Sequence, residues 1–401
     1  MHVKKKTSLA ILLLTKYNKL DCFIFEINKV DSHPCDYVKI RKLFYGGQNM
    51  DHQLKISVIV PVYNAEKHLR QCLDSLLDQG IPEDQYEIIC INDGSKDTSL
   101  SIIKEYVTRH KNVILIDKEN EGVSATRNKG LDAARGKYVW FIDADDWVAK
   151  DFLGKGAISK LFNEDGKRVS VMLTKYMYVK DGESKKYNDY TVVADALKFE
   201  EISPFYGNTQ GYIFDRELIE KYGLRFNTNL SYGEDLIFMR EFLDALRFEK
   251  ERDNNCWILQ CGGADVCGIY FYRIHDESAM GQLRNRMEKV ADSILYRARW
   301  SMERYKMEDK PAWYRANYQE YVNLHMQEYM IYYFPALKKP MWAHLKELKE
   351  EGLFPSPPPK LGWVKQKSMI RKIQQFVFKH SAFYPVYYMI MRCKFKKAGT
   401  A

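Results

Sequence analysis

Between Ile56 and Ile142 the chain carries four short apolar runs, three of them followed by an amphipathic stretch, and this alternation limits the fold more than any other feature. Ile56-Ser-Val-Ile-Val60 leads into a stretch from about Glu66 to Gln79, where Leu69, Leu73, Leu76 and Leu77 recur at helical spacing. Tyr86 to Asn92 ends in Asp93-Gly94-Ser95 and precedes a helix containing Leu100, Ile103 and Val107. Val113 to Ile116 precedes a helix through Ala125 to Ala134, and the fourth run is Tyr138 to Ile142. Continuous apolar strands separated by amphipathic helices predict an α/β fold with a mainly parallel sheet covered by helices on both faces. Ligands of such sheets sit beyond the carboxyl ends of the strands. Those ends carry Pro61-Val-Tyr-Asn64, Asn92-Asp-Gly-Ser95 and Asp143-Ala-Asp-Asp146, so polar side chains converge on one edge.

After Trp147 the alternation loosens. A polar insertion runs from about Lys180 to Asp189, followed by Gly211-Tyr-Ile-Phe-Asp215, a helix start at Gly233-Glu234-Asp235, and a last strand in Gly268 to Arg273. From about Asn285 a helical region rich in Trp, Tyr, Met, Arg and Lys extends to Leu348, and Pro355 to Pro359 forms a stiff interruption. The predicted organisation is an extension at 1–49, with Met50 as an alternative translation start, an α/β unit at 50–284, and a helical, basic and aromatic region at 285–401.

Apolar residues at 46% and charged residues at 29% match ordinary globular usage. No apolar run reaches the roughly 18 residues of a membrane-spanning helix. Lys4-Lys5-Lys6 and the apolar stretch Ser8 to Leu14 imitate a secretion signal, but the apolar part is short and no small-residue cleavage site follows. The eight scattered cysteines include one cluster, Cys256, Cys261 and Cys267, whose spacing fits no zinc or haem signature, so a reducing compartment is expected. Lys/Arg and aromatics crowd the last hundred residues. The tail from Ile370 to Lys397, with Phe376, Phe378, Phe383, Tyr384, Tyr387, Tyr388 and Met391, suits either a helix pair on an anionic membrane face or the core of a small helical subdomain.

The acidic run is the candidate chemical centre. A divalent cation that stabilises a diphosphate leaving group is held by hard carboxylate oxygens at a site open to substrate. If strand geometry persists past Ile142, Asp143 and Asp145 project to one side and Asp146 points elsewhere or into the turn, which makes Asp143 and Asp145 the expected metal ligands. An isolated Asp-x-Asp also serves as an acidic turn before a helix, so its neighbours carry the weight.

Those neighbours are ordered: Val58-Ile-Val-Pro-Val-Tyr-Asn64, Asn92-Asp-Gly-Ser95, Gly122-Val-Ser-Ala-Thr-Arg-Asn128 with Gly130, and Phe141-Ile-Asp-Ala-Asp-Asp146. Over about Ile56 to Ile274 the chain resembles family 2 of the inverting glycosyltransferases, nucleotide-sugar enzymes of bacterial surface polysaccharide synthesis. The resemblance implies a glycosyltransferase-A type fold, with 50–284 as the catalytic domain. It also implies that Pro61 and Tyr63 flank the nucleotide base, that Asp93 accepts the base's imide hydrogen, favouring uridine, and that Arg127 meets the diphosphate. Asp143 would touch ribose and metal, and Asp145 the metal, Mn2+ or Mg2+. The family's Glu-Asp pair at the start of a helix matches Glu234-Asp235, which makes Asp235 the catalytic base, with Glu234 orienting the acceptor or a loop. In some relatives a residue near this position closes over the diphosphate or joins the metal, which makes His275 a candidate third ligand, but lone histidines are mostly structural. Helix capping is the competing role for Glu234 and Asp235.

The implied partners are a nucleotide-sugar donor, a glycan or lipid-linked acceptor and an anionic membrane surface, without nucleic acid. The expected location is the cytoplasm, peripheral on the inner face of the cell membrane. A nicotinamide-type fold is excluded because the first strand runs into Pro-Val-Tyr-Asn without a Gly-x-Gly-x-x-Gly turn. A sugar-phosphate nucleotidyltransferase would need a glycine-rich basic loop there. The remaining alternative is a non-catalytic membrane-associated scaffold of a polysaccharide-assembly complex.

Overall fold

The computed structural model describes residues 54–154, 161, 168–180, 183–187, 209–252, 256–260, 269–275, 287–337, 339–357, 376–377 and 380–397. The extension at 1–49, Cys261, Cys267, Pro358, Pro359, Phe378 and parts of the polar insertion (181–182 and 188–189) lie outside the described residues.

The alternating runs form β1 (Ile56–Val62), α1 (Leu69–Leu77), β2 (Tyr86–Asp93), α2 (Ser99–Arg109), β3 (Val113–Lys118), α3 (Val123–Ala133) and β4 (Tyr138–Phe141). The first helix begins three residues later than its spacing predicts. The Glu66 carboxylate accepts from Thr98 N at 3.0 Å and Thr98 Oγ1 at 2.7 Å, which holds Glu66 in the loop. There follow β5 (Trp147–Val148), β6 (Arg168–Leu173), β7 (Lys175–Lys180), β8 (Glu183–Tyr187), β9 (Tyr212–Asp215), α4 (Arg216–Lys221), α5 (Glu234–Arg252), β10 (Cys256–Gln260) and β11 (Ile269–Arg273).

One sheet has the order β10-β6-β9-β4-β1-β2-β3. Its pairings are parallel except those of β9, which runs antiparallel to both β4 and β6. Side chains of β1 alternate between two cores. Ile56, Val58, Val60 and Val62 pack with Leu69, Leu73, Leu76 and Ile103 on one face, whereas Ile59 joins Ile89, Ile91, Leu131, Phe238 and Phe242 on the other. Burial on both faces is why these strands read as unbroken apolar runs. Each fully buried aliphatic side chain contributes about 1.5–3 kcal/mol.

Close approach of α3 to the sheet depends on Gly130, where a Cβ would stand 2.4 Å from Ile59 Cγ2. That contact sets the height of the preceding turn and of Arg127. A second sheet, β5-β11-β7-β8, has β11 antiparallel to β5 and parallel to β7. It brings the end of β11 beside the acidic run.

The last part of the chain is helical: α6 (Met287–Tyr305), α7 (Ala312–Glu328), α8 (Met341–Glu350) and α9 (Tyr384–Lys397). These helices share a core that includes Ile294, Ala298, Val322, Met326, Leu348 and Tyr384. They also dock on α5: Arg304 Nη2 donates to Glu241 at 2.7 Å, and Tyr318 Oη donates to Asp244 at 2.6 Å. Among the described residues, no helix is long and apolar enough to cross a membrane.

Candidate active site

Because β1, β2, β3 and β4 are parallel, their carboxyl ends share one edge of the sheet, and the sequence-predicted residues lie along it. Asn64, at φ 49°, turns the chain out of β1; its Oδ1 accepts from Lys96 N at 2.8 Å, while its own N–H donates to Ser95 Oγ at 3.1 Å. Asparagine tolerates this left-handed conformation better than most residues. These bonds tie the first two loops together. Tyr63 is exposed and Pro61 partly buried at the mouth they form.

Asp93 ends β2 as a buried carboxylate. Its Oδ1 accepts from Lys118 Nζ and from Glu121 N at 2.9 Å, and its Oδ2 accepts from Gly122 N at 3.0 Å. Burial pushes its pKa upward, but these hydrogen bonds and the Lys118 charge outweigh that and hold it below the ordinary carboxylate range. Lys118 was missed in the sequence because the third apolar run reads as ending at Ile116, whereas β3 continues to Lys118 and carries its side chain to the same edge.

Arg127 is buried on α3, stacked 5.3 Å from the Phe226 ring. Asn128 fixes that ring's backbone, donating to Phe226 O at 2.8 Å and accepting from Phe226 N at 2.7 Å. The guanidinium donates to Asp143 Oδ1 and to Glu234 Oε1, both at 2.9 Å. Burial opposes its charge, but Asp143, Glu234 and Asp235 more than compensate and raise its pKa. One guanidinium thus links the acidic run to the Glu-Asp pair.

At the acidic run strand geometry does not persist: the strand stops at Phe141, and a turn closed by Asp146 N donating to Asp143 O at 3.1 Å replaces it. All three carboxylates converge, with one oxygen from each of Asp143, Asp145 and Asp146 within 4.8 Å of the others. Asp146 lies in the turn, one of the two placements expected for it, yet its carboxylate joins the cluster rather than leaving it. It is buried, accepting from Tyr270 Oη and from Arg273 N at 2.7 Å. Burial, then the charges of Asp145 and Asp143, push the Asp146 pKa well up. Asp143 is also raised, chiefly by burial, against the opposing pull of Arg127. Gathered oxygen-only donors suit a hard cation such as Mg2+ or Mn2+, for which the negative charge is no penalty.

His275 follows β11, and its Nε2 lies 3.0 Å from Asp145 Oδ2. Arg273 Nε donates to Asp145 O at 2.8 Å, with the guanidinium 4.6 Å over the Trp147 ring. Gln210, unremarked in the sequence, donates through Nε2 to Asp143 Oδ2. It precedes β9, whose reversed direction delivers its start to the edge where parallel strands end.

Across the site, Gly233 (φ 77°) turns the chain into α5. A Cβ there would lie 3.1 Å from the Arg297 guanidinium, which is 1% exposed, reaches Glu328 at 3.4 Å and sits 5.5 Å from the Tyr232 ring. Asp235 Oδ1 accepts from the following Leu236 N at 2.8 Å. Burial first, and the adjacent Glu234 charge second, push its pKa up to about 7.

The sequence profile of Glycosyl transferase family 2 matches residues 57–223. An uncharacterized glycosyltransferase of Haemophilus influenzae is 33% identical over 204 residues, covering 49% of this chain and 73% of that protein. The poly(ribitol-phosphate) beta-glucosyltransferase of Bacillus spizizenii is 27% identical over 255 residues, 61% of this chain, and the match spans only 38% of that longer protein. Among solved structures, S. aureus TarS 1-349 in complex with UDP-GlcNAc superposes with a TM-score of 0.55 at 20% identity, covering 86% of this chain and 92% of that one, so the two share a fold. On the ordered motifs, the profile match and these relatives, the chain belongs to Glycosyl transferase family 2.

Proposed function

We propose that this chain is a metal-dependent, inverting glycosyltransferase that moves a sugar from a UDP-sugar to a hydroxyl of a glycan or lipid-linked glycan in surface polysaccharide synthesis. The observation that carries this reading is the Arg127 bridge. It joins Asp143 to Glu234 across 91 residues of sequence, and so sets the acidic run opposite Asp235. A structural acidic turn or a helix cap would not need a shared buried cation. UDP is favoured because TarS, which has this fold, was solved with UDP-GlcNAc. A polymer acceptor is favoured because the Bacillus spizizenii relative is named for poly(ribitol-phosphate).

In this reading Tyr63 and Pro61 flank the base, and Asp93, kept ionised by Lys118 and two backbone N–H groups, accepts the base's imide hydrogen. Asp143 and Asp145 would hold the cation, with the Asp146 carboxylate in reach. A divalent cation there supplies positive charge to the departing diphosphate. Arg127, already ordered by two carboxylates, adds a fixed second charge on the diphosphate side. Asp235 takes the proton of the acceptor hydroxyl. The hydroxyl oxygen forms a bond to the anomeric carbon as the bond to the diphosphate oxygen breaks, the electron pair leaves with the diphosphate, and the configuration inverts. A base with a pKa near 7 suits this, since at neutral pH it is substantially ionised and still basic enough to accept a proton.

The test is a donor screen with purified protein, Mn2+ and UDP-, GDP- and dTDP-sugars. Release of UDP from one UDP-sugar, abolished in Asp235→Asn, is the expected result. No nucleotide release from any donor, with Asp235→Asn indistinguishable from the parent, would establish the scaffold alternative.

A further inference from the structure

We propose that α9 docks on an anionic lipid bilayer through the face it turns away from the protein. This helix is apolar on two sides. Tyr384, Tyr387 and Tyr388 pack into the core of the helical region, where Tyr384 Oη donates to Met330 O at 2.7 Å. On the opposite side Val386, Met389 and Ile390 are 53%, 55% and 62% exposed, and Cys393 is exposed as well. Their spacing of i, i+3, i+4 and i+7 makes one continuous stripe, and Phe383, 52% exposed, precedes it. A helix that meets water on that face would carry polar residues there; a contiguous apolar stripe signals a partner surface.

Charge identifies the partner. The fifty residues from Gly352 to Ala401 contain ten Lys/Arg and no Asp/Glu. The remaining 351 residues hold 52 Lys/Arg against 53 Asp/Glu, so the chain's net positive charge of +9 resides in this segment. An aliphatic stripe within an acid-free basic segment matches the two demands of an interfacial helix: apolar side chains that enter the acyl boundary to about 5–10 Å and cations that meet anionic headgroups. A second copy of the same segment would bring like charges together. Single-stranded nucleic acid would call for aromatic stacking platforms, whereas the stripe is mainly Val, Met and Ile.

The experiment is co-flotation of the full chain with vesicles of phosphatidylglycerol and phosphatidylcholine, against vesicles of phosphatidylcholine alone. Binding is expected to the mixed vesicles and to fall sharply on the neutral ones and in molar salt. The double variant Met389→Asn/Ile390→Asn should lower the partition coefficient at least tenfold with an unchanged circular dichroism spectrum. A second variant, Lys394→Gln/Lys396→Gln/Lys397→Gln, should lower it roughly a hundredfold, given about a fivefold loss per lysine removed near the surface. Asp235→Asn protein should float as the parent does, which separates lipid binding from the transfer reaction. Equal retention on neutral and anionic vesicles, no retention on either, or a concentration-dependent dimer that the asparagine variant dissolves would overturn the proposal; the dimer would show that a second copy covers the stripe.

Discussion

Arg127 Nη2 donates to Asp143 Oδ1 at 2.9 Å, where burial raises that carboxylate's pKa and the guanidinium pulls against the rise. The pair thus favours the ionised form of Asp143, and the same guanidinium serves Glu234. Arg127→Ala should destabilise the protein by about 3–5 kcal/mol, since it strands buried charge on both sides. Arg127→Lys restores one charge without the planar fork, so it should recover part of the stability and little of the transfer rate. Urea denaturation alongside UDP release checks both; a lysine variant with full activity would remove the bridge from the mechanism.

Asp235 yields a prediction with opposite signs for stability and activity. Its carboxyl ionises near pH 4 in an unfolded chain but at about 7 in the folded protein. Between those values the folded state holds a proton that the unfolded state has released, so Asp235 makes stability fall as pH rises from about 4 to about 7. Asp235→Asn removes that loss. The variant should be more stable than the parent at pH 8, by up to about 4 kcal/mol for a shift of roughly three units, while losing transfer. Parent kcat/KM should rise about tenfold per pH unit below 7 and level off above it. Thermal melts of both proteins at pH 5 and 8, with a pH–rate profile, test this; equal melting behaviour at both pH values would show that Asp235 is not perturbed.

The three aspartates should separate by role. Asp145→Asn removes a partly exposed carboxylate of the proposed metal site and should abolish Mn2+-dependent transfer with little effect on melting. Asp146→Asn also breaks the acceptor of Tyr270 Oη and Arg273 N, so it should cost about 1–3 kcal/mol of stability and weaken metal affinity about 10–100-fold. Chelation should silence the parent enzyme, and added Mn2+ should restore it. Calorimetric Mn2+ titration of the parent and both variants distinguishes these outcomes.

Gly233 and Arg297 meet where α5 begins. Gly233→Ala would impose a Cβ on a φ of 77° and press on a buried guanidinium at 3.1 Å. The backbone conformation alone costs about 1–2 kcal/mol. Because the added methyl stands directly before Glu234 and Asp235, kcat should fall while KM for the donor changes little. Loss of donor affinity with normal kcat would contradict this.

Much of the edge was legible in the sequence because β1 to β4 are buried on both faces and joined by helices, so period and composition report them directly. The polar residues at their ends, Tyr63, Asp93 and the acidic run, follow from chain order, whereas Arg127, inside α3, came from the family resemblance. Glu234 and Asp235 came from the family resemblance, since acidic residues at a helix start are otherwise ordinary caps. Gln210, Lys118 and Arg297 were not legible. Gln210 and Arg297 reach the site through contacts between distant segments, which periodicity does not record, and Lys118 lies two residues past the end of the third apolar run.

What the sequence by itself determined is the parallel α/β frame, the edge where polar ends gather and the position of the acid-free basic segment. Tertiary structure decided the rest. It ended the fourth strand at Phe141, so that three carboxylates converge rather than alternate, and it reversed β9, which brought Gln210 to Asp143. It also chose which side of α9 is buried. The physical reason is common to all three: the local code gives each element an apolar face, but when two faces are apolar, or a turn replaces a strand, only packing against the remainder of the chain selects the outcome.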